Sequence, residues 1–277
     1  MSENSQVDEK VGLKHVEKAL PPDSNFLHHS VRPGEKRNLG FSMFEEYYIT
    51  YSDKDKQLLA NLWQSISDKH DSYQIYTSQL SDMTLTEAEI SFIARAAATT
   101  VSLNGSQIGE GISSQEQLKE LSQKRIGAYK DTDMNRVVSL SDIQGKGIIM
   151  CAEASLVGQG LSQYAEGYHV ASADVVSRAD TDLAEGHQIN FLINDDESRV
   201  ILFDMAYGVK RGVSDKKMLI PYVALLTREQ IMGFENGQNV TVESMGEKRV
   251  YRIGTRHTPP GTWMGHQLTS KSEASKN

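Results

Sequence analysis

Three side chains in this sequence could together perform nucleophilic chemistry: the lone cysteine Cys151, His187 and Asp204. A thiolate attacks an electrophilic carbon, an imidazole moves the proton, and a carboxylate beside that imidazole fixes its tautomer and stabilises its charged form. Cys151 opens the stretch "CAEASLVGQGLSQYAEG", His187 enters the β-like run "GHQINFLI", and Asp204 ends the next run, "VILFD". Each also has a bland reading. Lone cysteines are commonly small buried hydrophobes, and a His–Asp pair at a strand end is often only structural. The combination, with nucleophile, base and orienter in one chain order, is what favours chemistry.

The elements that must position them follow from local pattern. Ala154, Val157, Leu161 and Tyr164 recur at helical spacing, which predicts a helix with Cys151 at its start and Gly167 as its C-cap. A helix N-terminus favours negative charge, which suits a thiolate. Gly158 and Gly160 inside that helix each cost ~1 kcal/mol relative to alanine, so a close neighbour is expected on their face, and a sheet would serve. Downstream, "HQINFLINDDESRVILFD" predicts a hairpin. Placing His187 opposite Asp204 pairs Ile189 with Leu202 and Phe191 with Val200, and centres the turn between Asp195 and Asp196. The face carrying these apolar pairs is then the core face, with the His–Asp pair at its edge.

This Cys, His, Asp order resembles the transglutaminase-like branch of the papain-type cysteine enzymes over about residues 140–210. "CAEASLVGQGLSQYAEGY" is similar to that family's nucleophile helix, "GHQINFLI" to its histidine strand and "VILFDMAYG" to its aspartate strand. The resemblance implies a papain/transglutaminase-like core, with the nucleophile helix packed on an antiparallel sheet, and a Cys151–His187–Asp204 triad. The Cys-to-His spacing is far shorter than the roughly 130–150 residues of papain and cathepsins proper. Met205 stands where family members often have proline, and Ile149-Met150 separate Gly147 from the cysteine. The implied reaction is acyl transfer on a protein substrate: Cys151 attacks a carboxamide or peptide carbonyl to give a thioester, and water or an amine releases it. That covers glutamine deamidases, peptidases and cross-linkers, several of them bacterial effectors. The Cys151 backbone N–H is the first expected oxyanion donor. Gln144 is a candidate second if the glycines of "QGKG" fold the chain back, and an exposed loop amide otherwise. A non-catalytic interaction module that retains the fold is the alternative function.

Other signals are weaker. His169 lies just past the predicted helix and reads as an edge-strand residue, and His28-His29 lack further ligands, so no metal and no cofactor is expected. "GKG" lacks the spacing of a phosphate loop. "KRGVSDKK" reads as a solvated loop, or as a contact for an acidic substrate, and "HTPPGTWMG" as a turn whose Trp263 packs on the domain. The sequons at Asn104 and Asn239 matter only in a secretory protein.

Around this lies a chain of 277 residues, 38% hydrophobic and 24% charged, enough for one sizeable core. Its formal charge of -8 opposes a broad phosphate-binding surface, so no nucleic-acid partner is expected. One cysteine excludes an internal disulfide framework. No run reaches the ~18 apolar residues of a membrane span, and no secretory signal is evident, so the expected location is cytoplasmic, or a host cell reached without a cleavable signal. Residues 1–40 read as a flexible leader and 265–277 as a flexible tail. Residues 41–264 read as a single α+β domain, mainly helical over 41–140, with a helix and antiparallel sheet over 141–264. Leu58, Leu62 and Ile66 mark one helix, Thr84-x-x-Glu87 caps a second, and Ser114-x-x-Gln117 starts a third.

Overall fold

Beyond Tyr168 the chain alternates runs rich in Val, Ile and aromatics with turn residues, and each of the six expected runs becomes a strand. They are β5 (Tyr168–Ser177), β6 (Glu185–Asn194), β7 (Val200–Val213), β8 (Lys216–Leu225), β9 (Val240–Ser244) and β10 (Glu247–Ile253). All neighbours pair antiparallel, in the order β8-β7-β6-β5-β10-β9. The sheet curls: the Tyr222 hydroxyl of β8 donates to Val242 O of β9 at 2.7 Å, bringing its two edges together. The computed structural model describes residues 27, 31–41, 46–108, 115–132, 135–181, 185–213 and 216–254.

The first half contains the three expected helices, α1 (Asp53–Ser65), α3 (Glu87–Asn104) and α4 (Gln115–Ala128), and a further one, α2 (Asp71–Leu80), that the sequence reading did not anticipate. It is less purely helical than expected. Strands β1 (Lys36–Phe41), β2 (Glu46–Thr50), β3 (Lys130–Thr132) and β4 (Asn135–Ser139) form a second sheet in the order β1-β2-β4-β3, in which β2 and β4 run parallel. The leader reading is corrected as well, because β1 begins at Lys36 and Leu27 is buried in a core of the large sheet. The start of α3 also moves. Its capping box is Thr86 with Glu89, and not Thr84 with Glu87, because the Thr86 side chain accepts from Glu89 N while Glu89 accepts from Thr86 N. His28-His29, Ser114, Trp263 and the tail lie outside the described residues.

Two layers of core explain the arrangement. One fills the space between the large sheet and the helices, and includes Leu59, Ile93, Val157, Leu192, Ile201 and Phe203. The other lies inside the curl, where Ile189, Phe191, Leu202 and Tyr222 meet Phe234 of α7 (Arg228–Glu235). Both faces of the β6–β7 hairpin are therefore buried, and neither is the sole core face. Its register is also displaced by two residues. Phe191 opposes Leu202 and Ile193 opposes Val200, because Glu197 takes a left-handed φ of 58° and the turn centres one residue later. A two-residue shift keeps every side chain on its expected face, which a one-residue slip would not.

Candidate functional site

Cys151 is the first residue of α6 (Cys151–Gly160), and the loop before it is built to hold it there. Gly145 and Gly147 adopt left-handed φ values of 72° and 63°, and their N–H groups donate to Leu103 O and Asn104 O at the end of α3. The buried Asn104 side chain accepts from Ile149 N at 3.0 Å. Asn104, the first sequon residue, is thus committed to the fold. α6 is shorter than the sequence suggests: it stops at Gly160, a 3-10 turn follows over Ser162–Tyr164, and Gly167 belongs to the turn into β5. The close neighbours predicted from its glycines are present. A Cβ on Gly158 would come within 2.7 Å of Asn190 Oδ1 on β6, and one on Gly160 within 2.6 Å of Leu59 Cδ1 on α1. Asn190 Nδ2 donates to Ser155 O at 2.9 Å, docking helix and sheet.

The helix start has a further support that the sequence reading missed. Glu153 is buried and accepts from Met150 N, from Arg125 Nε at 2.9 Å and from the Tyr129 hydroxyl at 2.6 Å. Burial opposes its charge, but Arg125 and Tyr129 outweigh that and hold the carboxyl below its ordinary range. The spacing Met150-x-x-Glu153 is half a capping box, and that was the readable signal.

His187 and Asp204 lie just beyond the last paired rungs of β6 and β7, Asn190 with Phe203, so they are not opposed on a ladder. They meet nonetheless. His187 Nε2 is 2.6 Å from Asp204 Oδ2, and both residues are completely enclosed, at 0% and 1% exposure. The other carboxylate oxygen accepts from Ala206 N at 3.0 Å and Tyr207 N at 2.9 Å, because β7 bulges between Asp204 and Val209. That bulge lays the Tyr207 ring flat on the imidazole, with centroids 4.4 Å apart and planes 10° apart. Gly208 is required beside it: a Cβ there would come within 2.1 Å of Ile220 O. Arg249 of β10 donates to Tyr207 O and Gly208 O and stands over the Tyr222 ring, pinning the bulge from a third strand. A glycine inside a strand pattern marks a bulge, and "DMAYG" carried that mark.

Electrostatics set the protonation states. Burial alone would drive a proton off His187, yet the Asp204 carboxylate and then Cys151 overcome it, so the imidazole is held above its ordinary value. Burial would likewise protonate Asp204, and His187, the Tyr207 N–H and Arg249 instead hold it below the ordinary carboxylate range. With Nε2 engaged, Nδ1 is the ring nitrogen left for Cys151. It makes no hydrogen bond of normal geometry among the described residues, a looser pairing than the 2.6 Å bond on the other nitrogen. Cys151 itself is partly exposed and lines a pocket of about 950 Å³, together with Met150, Ala206, Tyr207, Arg249 and Tyr251.

The expected residues therefore separate into two groups. Cys151, His187 and Asp204 come together. Gln144 does not join them: it is an exposed residue capping the short helix α5 (Leu140–Ile143), and it does not line the pocket. The glycines do bend the chain, but they bend it onto α3. His169 pairs with Ile193 on β5, away from the pocket lining. Among the described residues no group of three or more His, Cys, Asp or Glu could hold a metal ion, and no helix is long and apolar enough to cross a membrane. No protein-family model, curated protein or solved structure matches this chain.

Proposed function

We propose that this chain is a cysteine-dependent acyl-transfer enzyme acting on protein amides, as a glutamine deamidase or peptidase, through Cys151, His187 and Asp204. The observation that carries the proposal is the buried His187–Asp204 bond, which leaves one imidazole nitrogen for a partly exposed thiol at a helix start. In this reading Cys151 attacks the carbonyl carbon, and His187 delivers its proton to the departing nitrogen. The thioester then reacts with water, whose proton His187 takes up. Asp204, fixed by two backbone N–H groups, keeps the ring oriented and its charge compensated throughout. The Cys151 N–H, at the first position of α6, is a donor for the developing oxyanion.

Two measurements test this. Cys151 should alkylate with iodoacetamide at pH 6 faster than a free small thiol does, as a nucleophile set at a helix start beside His187 requires. Candidate proteins incubated with the enzyme should change in intact mass, by about one unit for deamidation or by a cut for proteolysis, and not with Cys151→Ala. A slow thiol with no mass change on any candidate would favour the second reading, a non-catalytic interaction module. The complete enclosure of His187 beneath Tyr207 is the observation on its side.

A further inference from the structure

The pocket that opens onto Cys151 is charged against the trend of the chain. The sequence carries 37 Asp+Glu against 29 Lys+Arg, yet among the described residues lining the pocket the cations are Arg178, Lys210, Lys248 and Arg249, and the carboxylates only Asp180 and Glu247. Lys248 and Arg249 each have a carboxylate close by. Lys248 Nζ lies 3.5 Å from Glu243, and Arg249 Nη2 lies 3.0 Å from Glu247. Lys210 is exposed on β7 just beyond the bulge, and Arg178 is exposed at the end of β5. The lining also includes apolar side chains, among them Ile149 and Met150 next to Cys151 in the chain, and Leu219. A concave wall of low polarity beneath a lining in which cations outnumber carboxylates concentrates that excess positive field at the pocket mouth.

We propose that this pocket selects an acidic peptide segment, so that the carboxamide attacked by Cys151 is carried on a stretch of protein with Asp or Glu close beside it. The inference rests on the thiol chemistry above and adds the substrate class to it. Arg178, Lys210 and Lys248 are the residues that discriminate. They do so locally, since the -8 net charge of the whole chain gives no general attraction for acidic partners. Within a Debye length of about 8 Å at physiological salt, rim charges act on a bound segment and hardly at all on a distant one.

The field at the thiol can be read without knowing the substrate. Iodoacetate and iodoacetamide both alkylate a thiol to a thioether by displacement of iodide, giving the carboxymethyl and carbamidomethyl products, and only the first reagent carries a carboxylate. With the full-length protein at low salt, the iodoacetate-to-iodoacetamide rate ratio at Cys151 should exceed that of N-acetylcysteine amide several-fold, and high salt should flatten the difference. In Lys210→Glu/Lys248→Glu the ratio should fall about tenfold while the iodoacetamide rate stays within about twofold, as a local field effect requires. Lys210→Gln/Lys248→Gln should move it the same way by less. A short Glu-rich peptide should slow alkylation, and neither its Lys-rich counterpart nor inorganic phosphate should. A ratio equal to that of the free thiol, or unmoved by charge reversal, overturns the inference, and protection by phosphate equal to that by peptide overturns the peptide assignment. A folded thiol that resists both reagents overturns the proposed chemistry itself, a result distinct from a reactive thiol without anion preference.

Discussion

At the scale of single residues, the decisive feature is that His187 and Asp204 form an enclosed ion pair, where the sequence suggests a pair at the edge of the core. Cys151→Ala should abolish turnover and leave the melting temperature close to the parent's, since it opens little space at a partly exposed site. His187→Ala should also abolish turnover, and by stranding a buried carboxylate it should cost about 3–5 kcal/mol in denaturant unfolding. Asp204→Asn keeps an acceptor for Ala206 N and Tyr207 N, so it should cost only about 1–3 kcal/mol and leave a residual rate. The pH dependence follows from the two shifts. The His187 proton is held above its ordinary value, so its contribution to stability is complete below about pH 6.5 and is lost as pH rises through the raised value. Asp204 is held low, so its contribution is present above the usual carboxylate range and is lost only as pH falls through the lowered value. Melting temperature should therefore decline as pH rises above about 6.5, where the unfolded chain gives up its histidine proton first, whereas the rate should hold until pH reaches the raised value. An NMR titration of His187 should move to lower pH in Cys151→Ala, because one of the groups holding the proton is gone.

At the scale of elements, α3 is tied to the tip of the hairpin by a second buried charge. Glu89 is fully enclosed and receives Arg199 Nε at 2.8 Å, Arg199 Nη2 at 2.9 Å and the Tyr168 hydroxyl at 3.0 Å. Glu89→Ala should cost about 3 kcal/mol or more, and Arg199→Ala should cost similarly by leaving Glu89 unpaired; the two together should cost much less than their sum in a double-mutant cycle. None of this was legible, because Glu89 and Arg199 are far apart in sequence and each reads as an ordinary surface charge. What was legible is local. The six strands of the large sheet showed in their β-branched runs, and the close packing on α6 showed in Gly158 and Gly160. The small sheet did not show: "KDT" is too short to alternate, and β2 meets β4 across the intervening helices. The hairpin register failed by two because "NDDES" does not say which of its residues turns left-handed, and Glu197, an unusual choice, does so. Cys151, His187 and Asp204 were readable by type and order. Tyr207 and Arg249, which roof and pin the pair, depend on a bulge and a neighbouring strand that no spacing encodes.

At the scale of the molecule, β1 from Lys36 and the single residue Leu27 belong to the folded unit. Leu27 sits in the core inside the curl, and β1 is hydrogen-bonded to β2 from Lys36 onward. A chain that begins at Asn38 loses Leu27 and the first two rungs of β1, Lys36 with Thr50 and Arg37 with Ile49, and its melting temperature should drop by several degrees, corresponding to about 2 kcal/mol for one buried leucine side chain and more for the shortened strand. Equal melting of the shortened and full-length proteins would show that Leu27 contributes nothing. The parallel pairing of β2 with β4 has a different consequence, one of order in time. The helices α1 to α4 and then the edge strand β3 lie in sequence between β2 and its parallel neighbour β4, so a chain emerging from the ribosome cannot seal the smaller sheet until Ser139 is out. The cysteine follows almost at once, its imidazole and carboxylate strands come later, and Arg249 comes later still. On the proposed chemistry the nucleophile is therefore made before the groups that would activate it, and a nascent chain stalled between Cys151 and the last strand carries a thiol without its complete surroundings.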